Sequence, residues 1–273
     1  MPPLLPLAEW PLLERQGIIG VFTDIDDTLT TAGELTADAL AALCDLRAAG
    51  IPVIAITGRA VGWCLPKIRD WPVDAMGAEG GAVLLLPPAL DGDGAPAKLY
   101  QQDESTRAEH RALLQTVADQ VLREVSDVRI APGAEGRETD IAFDHHEFAR
   151  LGAAQLARVR QLLLDAGLTV AVSSIHIHGR VDANDKFTGA CWIVRALYGR
   201  DLAAELSRWT FVGDSANDEA MFQALAGTSI GVANVREAAG GLQHWPRFVT
   251  QGERGAGFAE VAAALLSARS GVV

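Results

Sequence analysis

Apolar residues along this chain fall into two textures. Short unbroken runs alternate with longer stretches in which apolar positions recur every three or four residues. Ile18-Ile19-Gly20-Val21-Phe22 and the segment Ile51 to Thr57 are of the first kind and predict strands buried on both faces of a parallel sheet. Between them, Thr36 to Ala49 reads as a helix with Leu40, Leu43 and Leu46 on one face and Gly50 as its stop. A helix to about Asp70, a strand over Val73 to Ala78, and a turn at Glu79-Gly80-Gly81-Ala82 into a small hairpin complete the first part. The alternation resumes after Asp182. A helix is predicted from about Asp185 to Tyr198, a strand over Trp209 to Gly213 and a helix over Asn217 to Ala224, followed by a strand at Ser229 to Val232 and a closing helix at Phe258 to Ala268. Such spacing predicts an α/β fold built on a doubly wound, Rossmann-like parallel sheet.

The middle of the chain differs. Pro87 to Pro96 has the composition of a linker, and Thr106-Arg107-Ala108-Glu109 has the form of a capping box opening a long helix to about Val125. Two strands, a second long helix from Leu151 to Ala166 stopped by Gly167, and two more strands follow. The expectation is a core of residues 1–88 and 182–273 interrupted by an inserted α/β domain at 89–181.

Composition narrows the function classes. The 273 residues are 49% hydrophobic and 21% charged, as in a globular protein with a sizeable core. A formal net charge of −12 argues against a nucleic-acid partner but leaves room for a small phosphorylated substrate beside a bound cation. Cys44, Cys64 and Cys191 are isolated and odd in number, which favours a reducing compartment. The opening Met1-Pro2-Pro3-Leu4-Leu5-Pro6 lacks a basic stretch and is broken by prolines, and no apolar run reaches membrane-spanning length. A cytoplasmic protein is expected, without a membrane partner; the oligomeric state is not legible.

The chemistry collects where strands end. The first strand runs into Asp24-Ile25-Asp26-Asp27, three acids at the carboxyl edge where open α/β sheets bind ligands. Their mutual repulsion calls for a positive partner, most simply Mg²⁺. The second strand ends in Thr57-Gly58, Lys186 opens the helix after the insertion, and a later strand ends in Gly213-Asp214-Ser215-Ala216-Asn217-Asp218. Alone, each has an ordinary reading as a turn, a surface lysine or a helix cap. Together they supply what phosphoryl transfer needs: a carboxylate nucleophile, a second carboxyl to move protons, a cation, and donors for the equatorial oxygens.

In these residues the chain resembles the haloacid dehalogenase-like superfamily. Asp24-Ile25-Asp26-Asp27-Thr28 is similar to its DxDxT motif, Thr57 to its second motif, Lys186 to its third, and Gly213 to Asp218 to its GDxxND fourth. The resemblance implies Asp24 as nucleophile and Asp26 as general acid/base. It implies Thr57, Gly58, Lys186 and Asn217 around the phosphoryl group, and Mg²⁺ held at Asp24, Asp26 (through its carbonyl) and Asp214, with Asp218 at the same site. The insertion looks like the α/β cap of the sucrose-phosphatase-like and mannosyl-3-phosphoglycerate-phosphatase-like branch. Gly80 departs from that branch's Glu-Asn-Gly-Ala turn by standing in the Asn place.

Period-two alternation in the cap strands gives one polar face. Glu138, Asp140 and Asp144 oppose Ile141 and Phe143; Ser174, His176 and His178 oppose Ile175 and Ile177. A surface of carboxylates, imidazoles and a hydroxyl suits a polyol, so Glu138, Asp140, Ser174, His176 and His178 are candidates for substrate specificity, and Arg180, at the crossover back to the core, is a candidate contact for a second anionic group on the substrate. The expected activity is Mg²⁺-dependent hydrolysis of a small phosphorylated metabolite, a sugar phosphate in the first instance, through an aspartyl-phosphate. The alternatives are a phosphomutase and a non-catalytic ligand-binding protein of the same fold.

Overall fold

A computed structural model describes residues 4–89, 94–133, 136–146, 148–172, 175–182, 184–238 and 241–270. In chain order these form β1 (Leu5–Pro6), α1 (Leu12–Gly17), β2 (Gly20–Thr23), the short hairpin β3 (Thr30–Thr31) and β4 (Glu34–Leu35), α2 (Ala37–Ala48), β5 (Val53–Ile56), α3 (Val61–Asp70), β6 (Ala75–Ala78), β7 (Val83–Leu86) and β8 (Ala97–Tyr100). A second group follows: α4 (Glu104–Glu124), β9 (Arg129–Ile130), β10 (Asp140–Asp144), α5 (Ala153–Asp165), β11 (Thr169–Val172) and β12 (His176–Arg180). The chain then returns through α6 (Lys186–Tyr198), β13 (Trp209–Gly213), α7 (Glu219–Ala224), β14 (Ser229–Gly231), β15 (Phe248–Val249) and α8 (Arg254–Ser270).

Nine strands form one sheet in the order β1-β15-β14-β13-β2-β5-β6-β7-β8, parallel from β1 to β6 and antiparallel at β7 and β8. Helices α2, α3 and α8 bury their apolar faces on one side of it, and α6 and α7 on the other. On α2 the buried face is Ala39, Ala42, Leu43 and Leu46, while Leu40 points outward, one step off the expected stripe. Strand β8 adds to the edge of this large sheet, so residues 97–100 belong to it before the smaller sheet's elements begin at Glu104.

The smaller sheet is antiparallel, ordered β11-β12-β10-β9. Its apolar face, with Phe143 and Ile177, packs on α4 through Leu114, Val117 and Val121 and on α5 through Val159, Leu162 and Leu163. The opposite, polar face is free to look back at the large sheet. The cap of α4 lies upstream of the expected box: Asp103 is the N-cap, accepting from the Thr106 N–H at 2.9 Å and from its hydroxyl at 2.8 Å. Among the described residues no helix is long and apolar enough to cross a membrane.

One loop seats the smaller unit on the large sheet. Gly136 lies so close to Gly62 that a Cβ on either would come within 3 Å of the other's Cα. Next to it, Arg137 donates to the Gly58 carbonyl at 3.0 Å. The Glu79 carboxylate, at the end of β6, accepts from the N–H groups of Glu138 and Thr139, from the Thr139 hydroxyl and from the Val61 N–H that opens α3.

Candidate active site

Strands β13, β2 and β5 are neighbours and parallel, so their carboxyl ends deliver Asp214, Asp24 and Thr57 to one edge. Lys186 reaches them because Asp185 caps α6, accepting from the Thr188 N–H at 2.8 Å, and so fixes Lys186 as the first helical residue. A cation at a helix N-terminus opposes the helix dipole. Here two carboxylates offset that: Lys186 Nζ stands 2.5 Å from Asp24 Oδ1 and 2.6 Å from Asp218 Oδ1, with the lysine side chain 4% exposed. Asp218 is in turn placed by its own turn. Its Oδ2 accepts from the N–H groups of Asp214 and Ser215 at 2.9 and 3.1 Å. With both oxygens engaged, Asp218 supports the cluster from below.

Carboxylate oxygens of Asp24, Asp214 and Asp218 lie within 4.8 Å of one another. Three acids, Asp24 and Asp218 buried and Asp214 half-buried, gather around one ammonium, which pairs with the first two. Burial, reinforced by Asp218, pushes both Asp24 and Asp214 well above the usual carboxylate range, against the pull of Lys186. Burial alone would depress the Lys186 ammonium, but Asp218 and Asp24 override it and hold it above its ordinary value. Asp214 is oriented by the Thr28 hydroxyl and the Asn234 amide, each at 3.1 Å. An all-oxygen donor set with surplus negative charge fits a hard dication such as Mg²⁺.

Of the three acids that follow β2, only Asp24 places its carboxylate in this cluster. Asp26 and Asp27 turn their side chains away from it. Asp26, 38% exposed at the cleft, forms a two-pronged ion pair with Arg59, at 2.9 Å from Nε and 3.0 Å from Nη2. Asp27 adopts a left-handed backbone (φ 55°) and pairs with Arg254 at 2.8 Å. The crowding that motivated a metal in the sequence is thus realised by residues from three elements and not by the three consecutive-looking acids.

A cleft of about 280 Å³ opens above this edge, at the small end of ligand sites. Asp24, Asp26, Thr57, Gly58, Asp214 and Asn217 line its floor, and His176 and His178 its roof. Arg180 lies beside it, in an adjoining chamber that His178 also borders. Two candidates for specificity sit elsewhere. Glu138 is drawn outward by Lys98 at 2.8 Å and the Tyr100 hydroxyl at 2.5 Å, and Asp140 lies behind the histidines, 1% exposed, in an ion pair with Arg137 at 2.6 Å. The expected alternation is seen at Ile141, Phe143 and Ile177, which pack on the helices, whereas Ile175 lines the cleft, and the polar face contains both its front row and the residues that brace it. Ser174 lies outside the described residues.

Cleft residues that carried no readable signal are Arg137, Asn234, Glu237, Ala238, Arg254 and, beyond its place after Thr57-Gly58, Arg59. Gly80 is explained by the fold. It has φ 74°, and a Cβ there would lie 2.7 Å from the Arg180 guanidinium, so the space a side chain would need is filled from β12.

No protein-family model matches the chain. A phosphoglycolate phosphatase of Pyrobaculum islandicum is 28% identical over 247 residues, covering 89% of this chain and 94% of its own. Among solved structures, the sucrose-phosphatase of Synechocystis, in complex with sucrose and phosphate, superposes with a TM-score of 0.62 at 18% identity, over 90% of this chain and 97% of that one. A Bacteroides thetaiotaomicron phosphatase of the haloalkanoate (HAD) superfamily gives 0.61 at 18% identity, over 98% and 100%. In its fold the chain is similar to these phosphatases, and the order and convergence of its site residues agree with that similarity.

Proposed function

We propose that the protein is a Mg²⁺-dependent phosphomonoesterase acting on a small phosphorylated metabolite of the sugar-phosphate kind. The observation that carries this reading is the Lys186 bridge between Asp24 and Asp218, with Asp214 in the same cluster: one ammonium and three carboxylates at one strand edge. Such a site is costly to bury and has no structural purpose that an apolar core would not serve better.

In this reading Asp24 attacks phosphorus and forms an aspartyl-phosphate, while the ester oxygen leaves with a proton from Asp26. Asp26, now ionised, takes a proton from water, which attacks the acyl phosphate and returns Asp24 and inorganic phosphate. Arg59 holds the Asp26 carboxyl at the cleft wall. Lys186, the Thr57 hydroxyl and the Gly58 amide stabilise charge on the equatorial oxygens. Asp24 and Asp214 would hold Mg²⁺, which when bound offsets the charge of the phosphate dianion beside these carboxylates.

The similar proteins support the class of chemistry: one is a phosphoglycolate phosphatase and another a sucrose-phosphatase. A phosphomutase would use the same intermediate; stoichiometric release of inorganic phosphate excludes it. A non-catalytic binder has no use for a proton donor at Asp26. The test is phosphate release from a panel of phosphomonoesters with and without Mg²⁺. Asp24→Asn is expected to lower kcat by on the order of 10⁴ or more. Because it removes a surplus buried charge, it should melt no earlier than wild type. Activity near wild type in that variant would overturn the mechanism.

A further inference from the structure

The polar face of the smaller sheet carries an arrangement that fixes the hydrogen-bonding character of one side chain. Asp140 is surrounded by cations. Its Oδ1 takes Arg137 Nη1, Arg180 Nη2 lies 3.8 Å from Oδ2, and Oδ2 stands 3.3 Å from His178 Nδ1. Burial works against the charged carboxylate, but Arg137, His178 and Arg180 outweigh it and hold Asp140 below the usual carboxylate range. It is therefore an acceptor only, and the contact with Nδ1 requires the proton to sit on Nδ1. His178 is 9% exposed, and burial together with Arg137 and Arg180 pushes its pKa down to about 4 despite Asp140. The ring is neutral at neutral pH, so Nε2 carries a lone pair.

That lone pair has nothing to accept from. Among the described residues no group hydrogen-bonds to His178 Nε2, and the ring borders the cleft with Cε1 turned to Gly58, about 4.0 Å from where a Cβ would sit there. A nearly buried acceptor beside the Thr57-Gly58 loop is complementary to a donor one or two bonds from the phosphoester. Arg137, on the same wall, is already engaged by Asp140 and the Gly58 carbonyl, so its charge is offset.

We propose that His178 is a specificity-determining residue that accepts a hydrogen bond from a hydroxyl of the leaving group, and that Asp140 is a positioning residue that fixes its tautomer. This rests on the phosphatase reading and deepens it. The favoured class is a monophosphate of a polyol. A carboxylate in the same place, as in 2-phosphoglycolate, meets a lone pair and is repelled.

The test compares kcat and KM for glycerol 3-phosphate, glucose 6-phosphate, ethyl phosphate and 2-phosphoglycolate in the full-length protein with Mg²⁺. Wild type should favour the two polyol esters over the other two by about 10-fold or more in kcat/KM, mostly in KM, since a site built around a substrate hydroxyl penalises its absence. His178→Phe should erase that preference, lowering kcat/KM for the two polyol esters by about 10-fold and for ethyl phosphate by less; His178→Gln, with an amide oxygen near the Nε2 position, should restore part of it. Asp140→Asn, which can donate to Nδ1 and move the proton to Nε2, should shift the preference toward 2-phosphoglycolate. Equal rates on all four esters in wild type, or a uniform loss across them in His178→Phe, would overturn the assignment of His178 alone. No release from any of them would overturn the phosphatase reading and this inference with it.

Discussion

Two clusters of buried charge face each other across the cleft, and they are mirror images. On the large sheet, one ammonium bridges two carboxylates of a three-carboxylate cluster; on the smaller sheet, two guanidiniums flank the Asp140 carboxylate. Desolvation is the largest influence on Asp24, Asp214 and Asp140 and raises all three. The outcome differs because the number of opposite charges differs. Asp24 and Asp214 end above the carboxylate range and Asp140 below it. One side of the cleft thus carries surplus negative charge, while on the other the surplus is positive, two guanidiniums against one carboxylate. Burial alone does not make a site; an unmatched charge does.

The largest effect should come from removing the ammonium. Lys186→Met leaves three carboxylates without their one internal cation, and breaking a buried pair in this way costs about 3–5 kcal/mol. Urea unfolding of the metal-free protein should register that loss. A midpoint equal to wild type would mean the acids already fold protonated, and the contrast between the two clusters would collapse.

What the sequence disclosed follows the same division. Asp24, Thr57, Lys186 and Asp214 lie where strands end or a helix begins, and a parallel sheet obliges those positions to converge. Their placement was legible because regular structure fixes it. The Asp26 and Asp27 side chains part from Asp24 because a turn, with Asp27 in a left-handed conformation, sends neighbours in different directions and gives each an arginine. Arg137 was invisible for a related reason. It lies in a loop with no periodicity, and its importance comes from Gly58 and Asp140, one of them 79 positions away. Glu138 carried the right alternation, but two side chains of the large sheet's edge, Lys98 and Tyr100, draw it outward. Pattern locates a face; only packing says which residues of that face meet the solvent.

A second effect belongs to the smaller sheet and is read by pH. The His178 pKa is depressed in the fold to about 4, against an ordinary value near 6.5 for the unfolded chain. Between those values the unfolded state binds the extra proton, so stability falls as pH falls from about 6.5 to 4 and is unaffected above that window. The accumulated loss approaches about 3 kcal/mol. Asp140, Arg137, Arg180 and His176 all face the ring, and Asp140 stays ionised across the window, so the slope is assigned by difference: it should shrink in His178→Gln. Equal pH slopes in the two proteins would remove His178 as its source.

The smallest effect tests the seam between the clusters. Gly80, on the large sheet's side, lies directly beneath the Arg180 guanidinium, whose Nη1 also donates to the Asn184 carbonyl at 2.6 Å and whose Nε has no partner among the described residues. Gly80→Ala asks a non-glycine residue to hold φ 74° and inserts a Cβ 2.7 Å from Nη1. The backbone cost is about 1–2 kcal/mol. Gly80→Asn eases that cost, since asparagine tolerates the left-handed region, yet keeps the collision. The two contributions separate in a double-mutant cycle with Arg180→Ala. If the guanidinium is what excludes a side chain at position 80, Gly80→Asn should be destabilising in the parent and close to neutral once Arg180 is gone, a coupling on the order of 1 kcal/mol. Additive changes would mean that the turn itself, and not the arginine lent by the smaller sheet, requires glycine there.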